Sequence, residues 1–335
     1  MKGVSIQDHL FQRIREKLPV NISLPDKVAE LLFISNDSAY RRIRGETPLV
    51  LGEAKILCEH FGLSLDQALE VKDKTVCFNT ISVNALEYSF DKYLDGLIKS
   101  VKKLLPHPDS EITYLSKDVA LFHNFYYRPL FAFRYFFWMK SMIQDPSFQN
   151  KKFSIDILPP ETEERGRQLL KLYEQIPSIE IWNTECVNSL ISQVEYYREA
   201  GFIQSQDDLG MVYDALEKTI HHIKFQAEEG AKFLPGELPA SKKTNFQLFQ
   251  NRIFLGDNTI LVKAAKKKTV YLNYELLNYM VTQDEEFCHQ IDNNIHDLMK
   301  RSTLLSINNE KQRNIFFNIL LRKIPAYNKM ATDEY

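Results

Sequence analysis

The sequence predicts a multidomain protein: a short all-α head, then a larger, helix-rich α+β domain with a small antiparallel meander near the C-terminus. Three observations support this prediction. The first 70 or so residues repeat apolar residues at helical spacing between capping residues and glycines. The 335 residues exceed the length of one small helical module. Segments after residue 245 alternate or are β-branched, as strands are.

The head, residues 1–70, is predicted from its caps and its apolar spacing. Pro25 suits a first helical position, and the polar run 35–38 can cap the helix that follows. Gly45 and Gly62 fit the left-handed conformation that ends many helices. The predicted helices cover Ile6 to Leu18, 25 to 32, Asn36 to Arg44 and Leu49 to Phe61.

Two of these short amphipathic helices are joined by a tight connection, which is a helix-turn-helix pattern. The head also contains SAYRRIRGE, an apolar helix after it, and the closing phrase FGLSLDQAL. In these features it resembles the lambda-repressor-like (XRE, Cro-type) helix-turn-helix family. The resemblance covers about the first 70 residues and none of the remainder. It departs at Ile43-Arg44-Gly45, which has one residue fewer before the glycine than the family pattern.

The resemblance implies a sequence-specific DNA-binding transcription regulator whose recognition helix, about 36–44, enters the major groove of double-stranded DNA. Arginine in such a helix can pair bidentately with guanine or with a phosphate. The residues implied to face the groove are Asn36, Asp37, Ser38, Tyr40 and Arg41. Those implied to contact phosphates are Arg42, Arg44 and Thr47.

Charge limits how such a head could bind DNA. The chain has a formal net charge of -2, and residues 1–70 hold nine Lys and Arg against ten Asp and Glu. Few phosphate contacts are therefore available, which predicts a homodimer on two half-sites. The alternative is a non-catalytic interaction or assembly protein whose helical head binds protein instead of DNA.

The cysteines and the apolar runs predict a cytoplasmic protein with no membrane contact. The cysteines are widely spaced and form no CxxC pair, so neither a disulfide framework nor a zinc site is indicated. The N-terminal segment lacks the apolar core of a signal peptide, and no window approaches eighteen uninterrupted apolar residues. The cysteines are Cys58, Cys77, Cys186 and Cys288.

Residues 71–335 are predicted to form an α+β domain for effector sensing, dimerisation or both. A possible linker helix covers 83–105, where Val83, Leu86, Phe90, Tyr93, Leu97 and Leu104 follow a heptad seam. The alternative, which we favour, is a helix packed on its own domain. Its wider stripe would add Leu94, Ile98, Val101 and Leu105.

An aromatic-rich segment, 122–138, follows a predicted strand at Ile112 to Leu115 and leads into a predicted core helix from about Pro129 to Ile143. Ligand sites are mostly apolar with a few polar groups. Part of this segment is therefore a candidate pocket for an unknown small-molecule or peptide effector. Its candidate ligand-binding residues are His123, Asn124, Tyr127 and Arg128.

Further along the chain, helices are predicted within 162–176, 182–202 and 208–230. A three-stranded antiparallel meander is predicted from FQLFQNRIFL, NTILVKAAKK and KTVYLNYEL. The last predicted helices cover Leu276 to Met280, Glu285 to Leu304 and Lys311 to Leu321.

Catalytic and cofactor motifs are not found in the sequence, so neither an enzyme nor a cofactor is predicted. GxGxxG, GxxxxGK[ST], GxSxG and HExxH are absent. Two helical groupings have metal-like spacing, but such spacing arises often by chance, and no metal is predicted. They are Glu217 with His221, and His289, Asp292 and His296 beside Cys288.

Overall fold

The computed structural model describes residues 6–19, 21–63, 65, 76–81, 89–239, 245–252, 256–275 and 277–332, with side chains as far as residue 324. Contacts divide the chain into two compact units, Met1–Cys77 and Phe78–Tyr335. In the described residues, no helix is long and apolar enough to cross a membrane.

The first unit, called the head below, is helical. Its helices are α1 (Ile6–Lys17), α2 (Leu24–Leu32), α3 (Asn36–Ile43) and α4 (Leu51–Phe61). They lie where the apolar spacing predicts them, because local signals start and end them. The Ser35 hydroxyl accepts the Ser38 N–H at the start of α3, and Gly45 and Gly62 adopt φ of +72° and +59° after α3 and α4.

The core of the head is small and apolar. Its buried residues are Leu10, Phe11, Ile14, Leu24, Val28, Ala29, Ala39, Ala54, Leu57 and Cys58. Helix α3 contributes only Ala39 to this list of buried residues. The rest of α3 is therefore half-buried or exposed, since an alanine lets the helix lie close to its neighbours while burying little of its surface.

The second unit is a helix-rich α+β fold. Its helices are α5 (Phe90–Lys102), α6 (Arg128–Phe137, continued by a π turn over Trp138–Met142), α7 (Pro160–Tyr173), α8 (Asn188–Glu199), α9 (Gln206–Glu229), α10 (Glu285–Lys300) and α11 (Glu310–Thr332). Its strands are β1 (Asn79–Ile81), β2 (Glu111–Ser116), β3 (Ser178–Trp182), β4 (Phe246–Gln250), β5 (Thr259–Ala264), β6 (Lys267–Glu275), β7 (Asn278–Thr282) and β8 (Thr303–Leu304).

These strands form one mixed sheet in the order β1-β7-β6-β5-β2-β3-β4-β8. The central strands β2, β3 and β4 are parallel, and the other pairings are antiparallel. Successive side chains of a strand point to opposite faces. On β3, Trp182 therefore joins the large core, together with Glu180 on the same face, whereas Ile181 joins a smaller core with residues of α10.

Helix α5 packs on its own domain through the wider apolar stripe, which is the alternative that the sequence analysis favours over the heptad seam. Phe90, Tyr93, Leu94, Ile98 and Val101 are buried in the large core. Leu105 is an exception and is exposed. Val83 and Leu86, which the heptad alternative needs, lie outside the described residues.

Helix α6 is confirmed as a central element. Every residue of α6 from Leu130 to Phe137 is buried. Gly166 of α7 lies so close that an added Cβ would come within 2.6 Å of the Phe131 ring. A small residue at 166 is therefore what lets α7 approach α6.

Four details of the strands were predicted wrongly. The helix predicted from Glu285 to Leu304 ends at Lys300, and Thr303–Leu304 form strand β8. The segment 182–202 begins with the end of β3, and helix α8 starts only at Asn188. The segment predicted as a helix from Leu276 to Met280 contains β7, which pairs with β6. The meander exists as β5, β6 and β7, whereas β4 pairs with β3 and β8. Strand partners depend on distant residues, which periodicity in one segment does not identify.

Candidate nucleic-acid interface

Helix α3 carries the polar residues that the resemblance implies for DNA. Asn36, Asp37, Tyr40, Arg41 and Arg44 are exposed, whereas Ser38, Arg42 and Thr47 are half-buried. The exposed residues recur at four-residue spacing, so those of α3 share its outer face. This face is opposite Ala39, which is fully buried.

The start of α3 is tied to α2 by one side-chain hydrogen bond and is closed by a local one. The Asn36 amide donates to the Asp26 carboxylate at 2.9 Å. The hydroxyls of Ser35 and Ser38 lie 3.0 Å apart. These contacts fix the first turn of α3, where side chains of a recognition helix would meet base edges.

Arg42 has a different role from the phosphate contact implied for it. Its guanidinium bonds both oxygens of Glu53 on α4, with Nε to Oε2 at 2.9 Å and Nη2 to Oε1 at 2.8 Å. Its third contact is to the Ser38 carbonyl at 3.3 Å. The side chain is 16% exposed, and its hydrogen bonds hold the pKa of the Glu53 carboxyl below its ordinary value. Arg42 therefore holds α3 against α4.

Gln7 of α1 fixes the other end of α3, and the sequence contains no local signal for this role. Its amide donates to the carbonyls of Arg42 at 2.6 Å and Thr47 at 2.9 Å. Its carbonyl accepts the Leu49 N–H at 2.9 Å. One side chain thus satisfies three backbone groups in the connection between α3 and α4.

Two cations are left on the outer surface of this region. Arg44 is 3.8 Å from Glu46, lies 5.8 Å from the centre of the Tyr40 ring, and has 67% of its side chain exposed. Arg41 is exposed and makes no ion pair within the described part of the head. These two arginines are available to an anionic partner.

Among the residues that the structure describes, the four candidate ligand-binding residues of the larger unit have separate partners. His123 is fully buried and bonds Glu180 on β3 at 2.8 and 3.0 Å. Asn124 donates to the Leu121 carbonyl at 3.0 Å. Arg128 bonds Glu163 and the Leu158 carbonyl, and Tyr127 is half-buried. These hydrogen bonds and ion pairs join no two of the four, and ligand binding by them stays a prediction.

Glu180 is the centre of a buried polar cluster. Besides His123, its carboxylate accepts the Tyr173 hydroxyl at 2.6 Å and the Trp182 indole N–H at 2.9 Å. Burial by itself would raise the pKa of Glu180. The charge and hydrogen bond of His123 and the Tyr173 bond outweigh that effect and keep the pKa lowered.

The metal-like groupings have other partners. Asp292 faces the ammonium groups of Lys263 at 3.0 Å and Lys268 at 2.8 Å, with His296 at 3.3 Å. The exposed pair Glu217 and His221 is 3.7 Å apart. Within the described residues, no group of three potential metal ligands occurs.

Comparisons with protein-family models, curated proteins and solved structures found no match to this chain.

Proposed function

We propose that the protein is a sequence-specific DNA-binding transcription regulator whose recognition helix is α3. One observation carries the proposal. Helix α3 buries only Ala39, exposes Tyr40 and Arg41 with Arg44 after them, and is held at both ends by other helices. A surface of polar and cationic groups on a rigid helix is suited to reading DNA, because binding then costs little ordering entropy.

In this mechanism the first turn of α3, with Asn36 and Asp37, would meet base edges. Arg41 would pair with a guanine or a phosphate, and Arg44 with a phosphate. Arg42 and Gln7 would act indirectly, by positioning α3. Two heads in a homodimer would double the few phosphate contacts.

The larger unit would hold the dimer, sense an effector, or do both. An effector with different affinities for two arrangements of this unit would shift the population between them. Free thiols at all four cysteines are in keeping with a protein of the reducing cytoplasm.

The test is selection of bound sequences from a randomised DNA pool by the full chain, followed by titration at several salt concentrations. Arg41→Ala/Arg44→Ala should abolish specific binding. The matched control, Arg15→Ala/Lys55→Ala, removes two exposed cations of α1 and α4 and should keep it. Loss of one phosphate contact should lower the slope of log affinity against log salt by about 1.

A second candidate function is protein binding by the head. The side chains of Phe33, Val50 and Leu51 are large, apolar and exposed. Exposed apolar residues of this kind suit a protein interface. Absence of specific, salt-sensitive DNA binding by the wild type would favour this function over the regulator.

A further inference from the structure

Helix α5 of the larger unit ends in three lysines that share one face, called the lysine cluster below. Lys99, Lys102 and Lys103 are three or four positions apart, so their side chains are neighbours on the helix surface. All three are exposed. Together with Asp95 and Ile98, they line a cleft of about 450 Å³ among the described residues. Only Ile98 of these five is buried, so the cleft is open to solvent and has an apolar base.

The charge of the lysine cluster is not compensated within the part of the chain that the structure describes. None of its three ammonium groups has an ion pair there. Asp95, which lines the same cleft, is bonded by the Arg165 guanidinium of α7 at 3.1 Å. By contrast, Lys300 at the end of α10 pairs with Asp297 at 2.9 Å. The cleft beside α5 is therefore positively charged.

Helix stability accounts for only part of this charge. The carbonyl end of a helix carries a partial charge of roughly -0.5, which a cation in the last turn offsets. One lysine suffices for that purpose, and three leave a net positive charge. Lys99 and Lys103 are also four positions apart, a spacing at which like charges destabilise a helix. An anionic partner would relieve this repulsion, which helix stability alone does not explain.

We propose that the lysine cluster contacts the phosphate backbone of double-stranded DNA, independently of base sequence. The open cleft favours this occupant over a small anion. A small-ligand site encloses most of its ligand and directs a few fixed polar groups at it. The cationic groups of this cleft are instead the ends of long, exposed lysine side chains. Phosphate contacts need no enclosure, because affinity comes from the counterions that the lysines release from DNA.

This contact deepens the proposed function and rests on it for the choice of DNA over other polyanions. In the head, Arg41 and Arg44 are exposed beside the outer face of α3. Three further cations of the larger unit would add affinity for every sequence equally, whereas α3 would supply the sequence preference. The two roles can fail separately, since one determines the salt dependence and the other the ratio of affinities for two sequences.

The test is binding of the full chain to two duplexes of equal length, one selected from a random pool and one scrambled, at salt concentrations between about 50 and 200 mM. For Lys99→Gln/Lys102→Gln/Lys103→Gln, the slope of log affinity against log salt should become shallower by about 2.7 on both duplexes, at about 0.9 for each phosphate. Over that range the wild type should lose about 40-fold more affinity than the variant. The ratio of affinities for the two duplexes should not change.

Two controls separate a local contact from a general effect of charge. Lys152→Gln/Lys218→Gln/Lys311→Gln makes the same change in net charge at three scattered, exposed positions of the larger unit, and it should keep the wild-type slope. Lys99→Arg/Lys102→Arg/Lys103→Arg retains the charge of the lysine cluster and should also keep that slope.

A shallower slope without any sequence preference would support this contact and refute the regulator. A sequence preference with an unchanged slope would refute the contact and leave the regulator standing. The contact is also refuted if the scattered variant loses as much slope, or if the wild type binds neither duplex at the lowest salt. Calorimetric titration with inorganic pyrophosphate covers the small anion. Binding that the glutamine variant of the lysine cluster loses, with its DNA slope unchanged, would assign the cleft to a small anion instead.

Discussion

The head and the larger unit place their polar side chains in opposite ways. In the head, the buried core is apolar, and the polar residues of α3 lie outside it. In the larger unit, Glu180, His123 and Gln226 are fully buried and bonded within the core or its edge.

This difference distinguishes polar groups that can bind a partner from polar groups that stabilise the fold. Water satisfies an exposed group such as Arg41 in the free protein, and binding exchanges these water contacts for contacts with the partner. A buried group cannot make this exchange, because its hydration is already lost. By this criterion the buried cluster around Glu180 is structural.

The largest effect is expected from the centre of the buried cluster. Glu180→Ala leaves His123 and the donors of Tyr173 and Trp182 without their acceptor, so the free energy of unfolding should fall by about 3–5 kcal/mol. Urea unfolding followed by circular dichroism measures it. Glu286→Ala, at an exposed position of α10, should change it by no more than about 0.5 kcal/mol. Similar losses of unfolding free energy in both variants would contradict the distinction between buried and exposed polar groups.

Glu174→Gln should change how stability depends on pH. In the wild type, burial raises the pKa of Glu174 to about 8, so the protonated carboxyl stabilises the folded chain. This stabilisation is complete below the ordinary pKa of 4.5 and is lost as pH rises through about 8. Glutamine has no proton to lose. The stability of the variant relative to the wild type should therefore rise across that interval, by at most about 1.4 kcal/mol per pH unit. A constant difference between the two unfolding curves would show that Glu174 ionises as a solvated carboxyl does.

A smaller loss of stability is expected from a change at Gln7, on helix α1 of the head. Gln7→Ala removes one side chain's bonds to three backbone groups, two of them carbonyls, and should cost about 1–2 kcal/mol because these groups are partly hydrated. Gln12→Ala on the same helix is exposed and should cost almost nothing. Hydrogen exchange of the Leu49 amide offers a direct readout, since its acceptor is Gln7; unchanged protection would contradict the positioning role.

The smallest effect concerns Phe33, which has φ of +54° and is 95% exposed. A left-handed conformation strains a phenylalanine, so Phe33→Gly should raise the stability of the head by about 0.5–1 kcal/mol. Phe33→Ala keeps the strain and serves as the control. An equal gain from alanine would mean that the exposed ring, and not the backbone, is the source of the cost.

The sequence predicts those parts of the structure whose signals lie within a few residues of each other, and it does not predict those that depend on distant residues. The helices of the head follow from caps and spacing within a few residues of each other, such as Pro25 and Gly62. Strand β3 was missed because Glu180 interrupts a short apolar run, so SIEIW looks unlike a buried strand. The buried carboxylate is explained by donors that periodicity does not reveal, among them His123, which is 57 residues away in the sequence.

The residues of the candidate sites show the same limit. Arg41 and Arg44 are exposed, which follows from the periodicity of a short helix, and their contacts with DNA stay a prediction. Arg42 is half-buried instead, since its partner Glu53 is on another helix and nothing local connects the two. Gln7 and Glu180 were not predicted at all, because their partners belong to several elements.

The sheet order has a consequence for how the chain is made. The four helices described in the head lie within about sixty residues of sequence, so they can fold as soon as they leave the ribosome. Strand β1 follows next in the chain, yet it pairs with β7 at Asn79 to Val281. The first strand to be synthesised must therefore wait for nearly the whole unit to emerge before it finds its neighbour. Until then the nascent chain consists of a finished head followed by a long segment whose sheet is still open at that edge.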